Sequence, residues 1–306
     1  MKESLKFFVL FFLFWQSPVV TAVVGQECRD FVINESPENV PAYFADALLW
    51  KVTRKDQAPS YIFGTIHVSD PRVLQIPDPV ITAMSHSRRF AMETVPEAEE
   101  LVTLHQLMFY TDDSRLSDLL DEDKFRKTVE ILNSYNMSDE SIIRLKPWAA
   151  YLTMNYPINN SLPLDMVLLE IARQQDMQIM GLESITEQLS AFTSLDNREQ
   201  IRLLIDTLCN YDLVLHGFEE MIALYLERDL HGLYSFSLRR SFPGDDIYDR
   251  LFKKLLIDRN HLMVERMDGL LREGGTFVAI GALHLTGQEG VLALLDRAGY
   301  EIEAVY

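Results

Sequence analysis

An α+β fold, close to α/β in character, is predicted by three features of this 306-residue chain. Short β-rich runs cluster near its two ends. Most of the middle carries the three-to-four apolar spacing of helices. No Gly-, Pro- or Ser-rich linker divides the parts. The terminal strands are therefore expected to share one central mixed sheet, with a large helical insertion over about residues 96–272. Residues 26–306 are expected to form a single domain.

In chain order, residues 48–53 alternate and predict a strand, and residues 61–66 predict its return partner across a polar turn containing Pro59. Pro71, Pro77 and Pro79 mark a loop, followed by a short helix at 80–87 and a short strand at 88–94. Pro96 is expected to open the next helix, with Glu97, Glu99 and Glu100 near its positive end. Helical spacing recurs over 121–135, 147–155, 164–175 and 197–226, interrupted by a strand at 178–183. A long helix is expected over 245–272, stopped by Gly274 and Gly275. A strand at 276–283, a helix at 287–298 closed by Gly299, and a last strand at 301–306 complete the prediction.

Composition excludes some functions. The chain is 48% hydrophobic and 24% charged, as expected of a globular protein, and its formal net charge is −18. No cluster of Lys and Arg offers a surface to nucleic acid. Lys2 and Lys6 precede an apolar run at 7–15, which is too short to span a bilayer, and Val20-Thr21-Ala22 supplies small residues for cleavage. Residues 1–25 thus read as a secretory signal peptide, implying a periplasmic or secreted protein with no stable membrane span after cleavage. In that setting the only two cysteines, Cys28 and Cys209, are expected to form a disulfide.

The chemistry is concentrated at strand ends. Gly-x-x-His occurs twice, in Tyr61-Ile-Phe-Gly-Thr-Ile-His67 and in Phe277-Val-Ala-Ile-Gly-Ala-Leu-His284. Two further predicted strands end on Glu93 and Glu183. If the four strands run in one direction, these side chains converge beyond their carboxyl ends, where open α/β sheets bind ligands. His67, Glu93 and His284 form a His₂-carboxylate set suited to zinc or a related divalent metal and a bound water, with Glu183 as general base or further ligand. Gly64 and Gly281 leave room for backbone or substrate beside each histidine. Arg259 shares the apolar face of its predicted helix with Leu255, Leu256, Leu262 and Met263. Two readings of it stand: a clamp on a substrate carbonyl or oxyanion, or an internal salt bridge to Glu93 or Glu183. Asn260 is a weaker candidate for substrate contact. No His-Glu-x-x-His, Gly-x-Ser-x-Gly, Gly-x-Gly-x-x-Gly or phosphate-binding loop occurs.

Seven blocks together carry a family resemblance: LWKV at 49–52, YIFGTIHVSD at 61–70, AMETVP at 91–96, KPW at 146–148, GLESITEQ at 181–188, DRN at 258–260 and AIGALHLTGQEG at 279–290. In these the chain resembles the TraB/GumN family, which includes the Tiki-type metalloproteases and is related to erythromycin esterase and ChaN-like proteins. The resemblance implies a site built on His67, Glu93 and His284, with Glu183 and Arg259 at matching positions. Its Tiki branch implies a metal-dependent endopeptidase using Mn, Co or a similar divalent ion, beside the Zn that the donor set itself suggests. Many relatives have glycine where this chain has Leu283, so access beside His284 is expected to differ. The leading expectation is an exported metal-dependent hydrolase acting on a peptide. The alternatives are a metal-independent hydrolase of small esters and a non-catalytic binding protein for a peptide, metal or haem.

Overall fold

A computed structural model describes residues 27–29, 32–33, 43–44, 46–54, 57–158, 161–241 and 246–306. The predicted signal peptide lies outside the described residues. Eight strands occur among them: β1 (Val32–Ile33), β2 (Leu49–Thr53), β3 (Ser60–Thr65), β4 (Arg89–Met92), β5 (Gln178–Gly181), β6 (Arg240–Ser241), β7 (Thr276–Gly281) and β8 (Glu301–Ala304). Six of them form one mixed sheet in the order β5-β4-β7-β3-β2-β8, and β1 pairs separately with β6. The hairpin β2–β3 and the pair β2–β8 are antiparallel, whereas β3–β7, β4–β7 and β4–β5 are parallel. The α+β class and the central mixed sheet are thus as the sequence predicts.

Parallel pairing buries both faces of β7, which lies between β4 and β3. Its run Thr276–Gly281 is buried at all but the last residue. Two apolar cores result. One packs the sheet between helices and includes Phe63, Phe90, Phe277, Met263 and Leu168. The other lies within the helical region around Leu132, Trp148, Phe192 and Leu204. A disulfide joins Cys28 to Cys209. Beside it Arg29 pairs with the buried Asp206, and Arg202 donates to the Glu27 carbonyl. The chain entering the fold is therefore fastened to the helix Asn197–Cys209.

Several boundaries differ from the sequence expectation for local reasons. The stretch 197–226 is two helices, Asn197–Cys209 and Tyr211–Leu226, separated at Asn210. The helix after Glu93 begins at Ala98 with Glu97 at its N-cap, so Pro96 lies just outside it. The stretch 245–272 starts as an α-helix (Ile247–Phe252), loosens into a π-helical turn (Lys253–Ile257), and resumes as Asp258–Glu273. That helix ends at Gly274, whose φ is +65°, and a Cβ there would lie 2.3 Å from the Ala58 carbonyl oxygen. Glycine at 274 therefore lets the chain turn directly from the helix into β7.

Candidate functional site

The parallel direction of β3, β4, β5 and β7 brings their carboxyl ends to one edge of the sheet. Their lateral order there places Glu183, Glu93, His284 and His67 in sequence along that edge. Pairing of β4 and β5 continues past the strands, because Leu182 N–H donates to the Met92 carbonyl (2.8 Å) and Glu183 N–H to the Glu93 carbonyl (2.7 Å). The two glutamates therefore leave neighbouring backbones side by side.

Glu93 is the hub. Its Oε1 accepts the Gly281 N–H at 2.7 Å and lies 3.8 Å from His284 Nε2. Its Oε2 accepts from Arg259 Nη2 at 2.6 Å and from Gln188 Nε2 at 3.0 Å. Burial alone would push this carboxyl up. The charge of His284 where that ring is protonated, the charges of Arg259 and His67, and the Gly281 N–H outweigh it, holding the group well below the usual carboxylate range. Gly281 has a spatial reason as well: a Cβ there would lie 3.2 Å from Glu93 Oε1 and 3.4 Å from His284 Cδ2.

Arg259 joins the two glutamates. Its Nε and Nη2 donate to Glu183 at 2.7–3.1 Å, and Nη2 also reaches Glu93. Its Nη1 donates to the Leu255 carbonyl at 3.1 Å. Leu255 belongs to the π-helical turn, so the side chain folds back onto the loosened segment just before it. The internal salt bridge to both glutamates is the arrangement this structure shows. Burial raises the Glu183 carboxyl, and its side chain has no exposed surface.

The two histidines are held at opposite ends of this cluster. His284 sits in a 3₁₀ turn, Ala282–His284, directly after β7. Its Nδ1 donates to Asn260 Oδ1 at 2.6 Å, while the Asn260 amide donates to the Glu289 carbonyl at 2.7 Å. Burial lowers the His284 pKa to about 4 against the pull of Glu93, so near neutral pH the ring is uncharged and presents an unprotonated Nε2 toward Glu93. His67 lies at the open rim with its Nδ1 3.1 Å from Asp165 Oδ1, and its ring centroid is 6.0 Å from that of Tyr156. Burial works against its charge, but the hydrogen bond and charge of Asp165 and the charge of Glu93 prevail and raise its pKa to about 9.

Gly64, Gly281, Asn260, Glu93, Glu183, Arg259 and His284 thus meet at one edge, with His67 beside them. Gly64 admits backbone: a Cβ there would lie 2.8 Å from Leu285 Cδ1 and 3.1 Å from Ala282 Cα, so its bareness lets the His284 turn rest on β3. Asn260 is fully buried, and its amide groups are engaged by His284 and Glu289. Leu283 packs against the sheet core. Asp165 and Gln188 escaped sequence reasoning. Asp165 has a weak signal, an acidic residue among Leu164, Leu168 and Leu169 on a buried helix face. Gln188 closes the GLESITEQ block but has no periodicity to mark it.

The donor types at this edge suit a divalent metal ion. His284 has its Nδ1 hydrogen-bonded to a side-chain oxygen, the usual support of a metal-binding imidazole, and His67 has a carboxylate oxygen 3.1 Å from its Nδ1. The 3.8 Å between His284 Nε2 and Glu93 Oε1 is longer than a hydrogen bond. As the side chains stand, no three His, Cys, Asp or Glu groups among the described residues enclose an ion.

This sheet, with His and Glu gathered at its carboxyl edge, defines a class of protein. The TraB/PrgY/gumN family model matches residues 48–304, and the chain belongs to that family. It is similar to Metalloprotease TIKI1 of Danio rerio, with 27% identity over 87% of this chain and 64% of that protein. It is also similar to Metalloprotease TIKI2 of Danio rerio (25%, over 84% of this chain and 61% of that protein) and Metalloprotease TIKI1 of Homo sapiens (25%, over 84% and 62%). The chain spans less than two thirds of the length of these relatives. No solved structure matches it. No helix among the described residues is long and apolar enough to cross a membrane.

Proposed function

We propose that this protein is an exported metal-dependent hydrolase whose substrate is a peptide. The observation that supports this reading best is the shared edge itself. Four parallel strands deliver two imidazoles and two carboxylates to one place, and the relatives that match are named metalloproteases. His67, Glu93 and His284 would hold the ion. When bound, such an ion supplies Lewis acidity to the scissile carbonyl and to water.

The chain's own residues have separable tasks in this reading. The neutral His284 offers Nε2 as a lone-pair donor, oriented through Nδ1 by Asn260. Glu93 stays ionised because Arg259 and the Gly281 N–H stabilise its charge. Arg259 and Glu183 act as a unit. Glu183 neutralises and aims the guanidinium, which in turn fixes Glu93. For Glu183 to take a proton from water, or for Arg259 to meet an oxyanion, this pair would have to open.

The pairing of Arg259 with Glu93 also favours a second reading, in which a positive charge already occupies the place of a metal. There His284 serves directly as base toward a small ester. Calorimetric titration of metal-stripped protein with Mn²⁺, Co²⁺ and Zn²⁺ separates the two. The proposal expects about one ion per chain, with binding lost in His67→Ala and in His284→Ala. Unchanged binding in both variants removes the coordination claim. Metal binding without cleavage of a diverse peptide library turns the reading toward a binding protein.

A further inference from the structure

Asp165 has no task in the proposed hydrolysis, yet its place in the fold, against His67, is unusual. It lies in the first turn of the helix Leu164–Gln174, whose other buried residues are Leu164, Leu168, Leu169 and Ala172. Its side chain is 13% exposed. A carboxylate on such a face is costly unless something compensates it. The ion-pair partner shown is His67 Nδ1, at 3.1 Å from Oδ1.

The backbone fixes this meeting. Leu164 N–H donates to the Val68 carbonyl at 3.2 Å, tying the start of the helix to the residue directly after His67. Pro163 at the N-cap has a φ of −68°, which sets the direction in which the helix departs. Asp165 is thus brought against the His67 ring by main-chain geometry, whatever the site contains. The opposite histidine is held in the same manner by a different helix, through Asn260.

We propose that Asp165 is a positioning residue: it holds His67 by Nδ1, so that ligand chemistry at this imidazole falls to Nε2. The metal-binding part of this inference rests on the function proposed above. The orientation part does not, because a carboxylate oxygen 3.1 Å from Nδ1 favours a proton on that nitrogen in the empty protein as well. The two histidines also differ in kind, one held by a carboxylate at the rim and one by an amide in the interior.

The test uses Asp165→Leu, which removes the acceptor at similar size, and Asp165→Asn, which keeps an acceptor oxygen as Asn260 does for His284. Two quantities are read on the full chain, with thermal melts to verify folding. The first is the ¹⁵N spectrum of the His67 ring in metal-free protein over roughly pH 6–11, a range that reaches the neutral ring. The parent and Asp165→Asn are expected to carry the neutral ring's proton on Nδ1, and Asp165→Leu to shift it to Nε2. The second is Mn²⁺ affinity by calorimetry, expected to fall about 10- to 100-fold in Asp165→Leu and to recover at least partly in Asp165→Asn. An unchanged His67 tautomer in Asp165→Leu overturns the proposal. If Asp165→Leu fails to fold, the tautomer in Asp165→Asn decides, and an Nε2 proton there overturns it. If Mn²⁺ affinity is indifferent to His67→Ala as well, the metal reading falls, while the ring spectrum still judges Asp165.

Discussion

Replacing Arg259 by methionine tests the core of the site without reference to any substrate. In the folded chain the Arg259 side chain is 11% exposed, Glu93 8% and Glu183 0%, so three charges share a nearly dry cluster. Methionine keeps most of the volume and removes the guanidinium together with its donors to Glu183, Glu93 and Leu255. Two carboxylates are then left facing each other with no cation between them. Removing one partner from a buried ion pair costs about 3–5 kcal/mol, and here the orphaned charge is double. Urea unfolding followed by circular dichroism at pH 7.5 should show a loss of at least about 3 kcal/mol. The sign of the pH dependence follows. Without Arg259 the folded-state pKa of Glu93 rises above the unfolded value, and that of Glu183, already raised by burial, rises further. The folded variant therefore gains protons first as pH falls, and its deficit should narrow between about pH 7 and pH 5. Arg259→Lys keeps the charge without the fork and should fall between the two proteins. A deficit below about 1 kcal/mol at pH 7.5, or one that does not change with pH, would show that the glutamates are not held as a buried charged cluster.

His67 gives a pH signature of the same sense, at higher pH and in the parent protein. Its folded pKa, raised to about 9 from 6.5, contributes stability that is complete below the unfolded value and disappears as pH rises through about 9. Melting temperatures of metal-free protein should fall over that window, and the slope should flatten in His67→Gln; an identical slope in both refutes the pairing with Asp165 and Glu93. The Cys28–Cys209 disulfide spans 181 positions of sequence, so reduction or a double Cys→Ser substitution should lower stability by about 2–4 kcal/mol in the same urea assay. Free-thiol titration of the untreated protein should find none, and two reactive thiols would overturn the bridge.

Much of the fold was legible because local pattern and tertiary role agree. The run Phe277-Val-Ala-Ile is apolar on both faces because β7 is covered on both, and it reads as a buried strand at sight. The hairpin from 49 to 65 follows from alternation around a polar turn. Legibility failed where a helix is interrupted by packing. Nothing in the periodicity of 245–272 marks the π-helical turn at Lys253–Ile257, whose Leu255 carbonyl is met by a side chain four residues on. The break at Asn210 is equally silent, because both flanking segments are amphipathic.

The residue types of the site belong to the sequence. Two histidines three residues after glycine, two glutamates at strand ends and one arginine on an apolar helix face were sufficient to nominate His67, His284, Glu93, Glu183 and Arg259. Their arrangement belongs to the tertiary structure. Strand direction is not encoded within a four-residue strand. It is set by which backbone edges pair, and the parallel pairing of β3, β7, β4 and β5 is what turns four separate strand ends into one edge. The partners Asp165 and Gln188 were decided at that same level. A carboxylate or an amide within a helical pattern acquires its meaning only when the helix is docked and the histidine or glutamate it faces comes within hydrogen-bond reach.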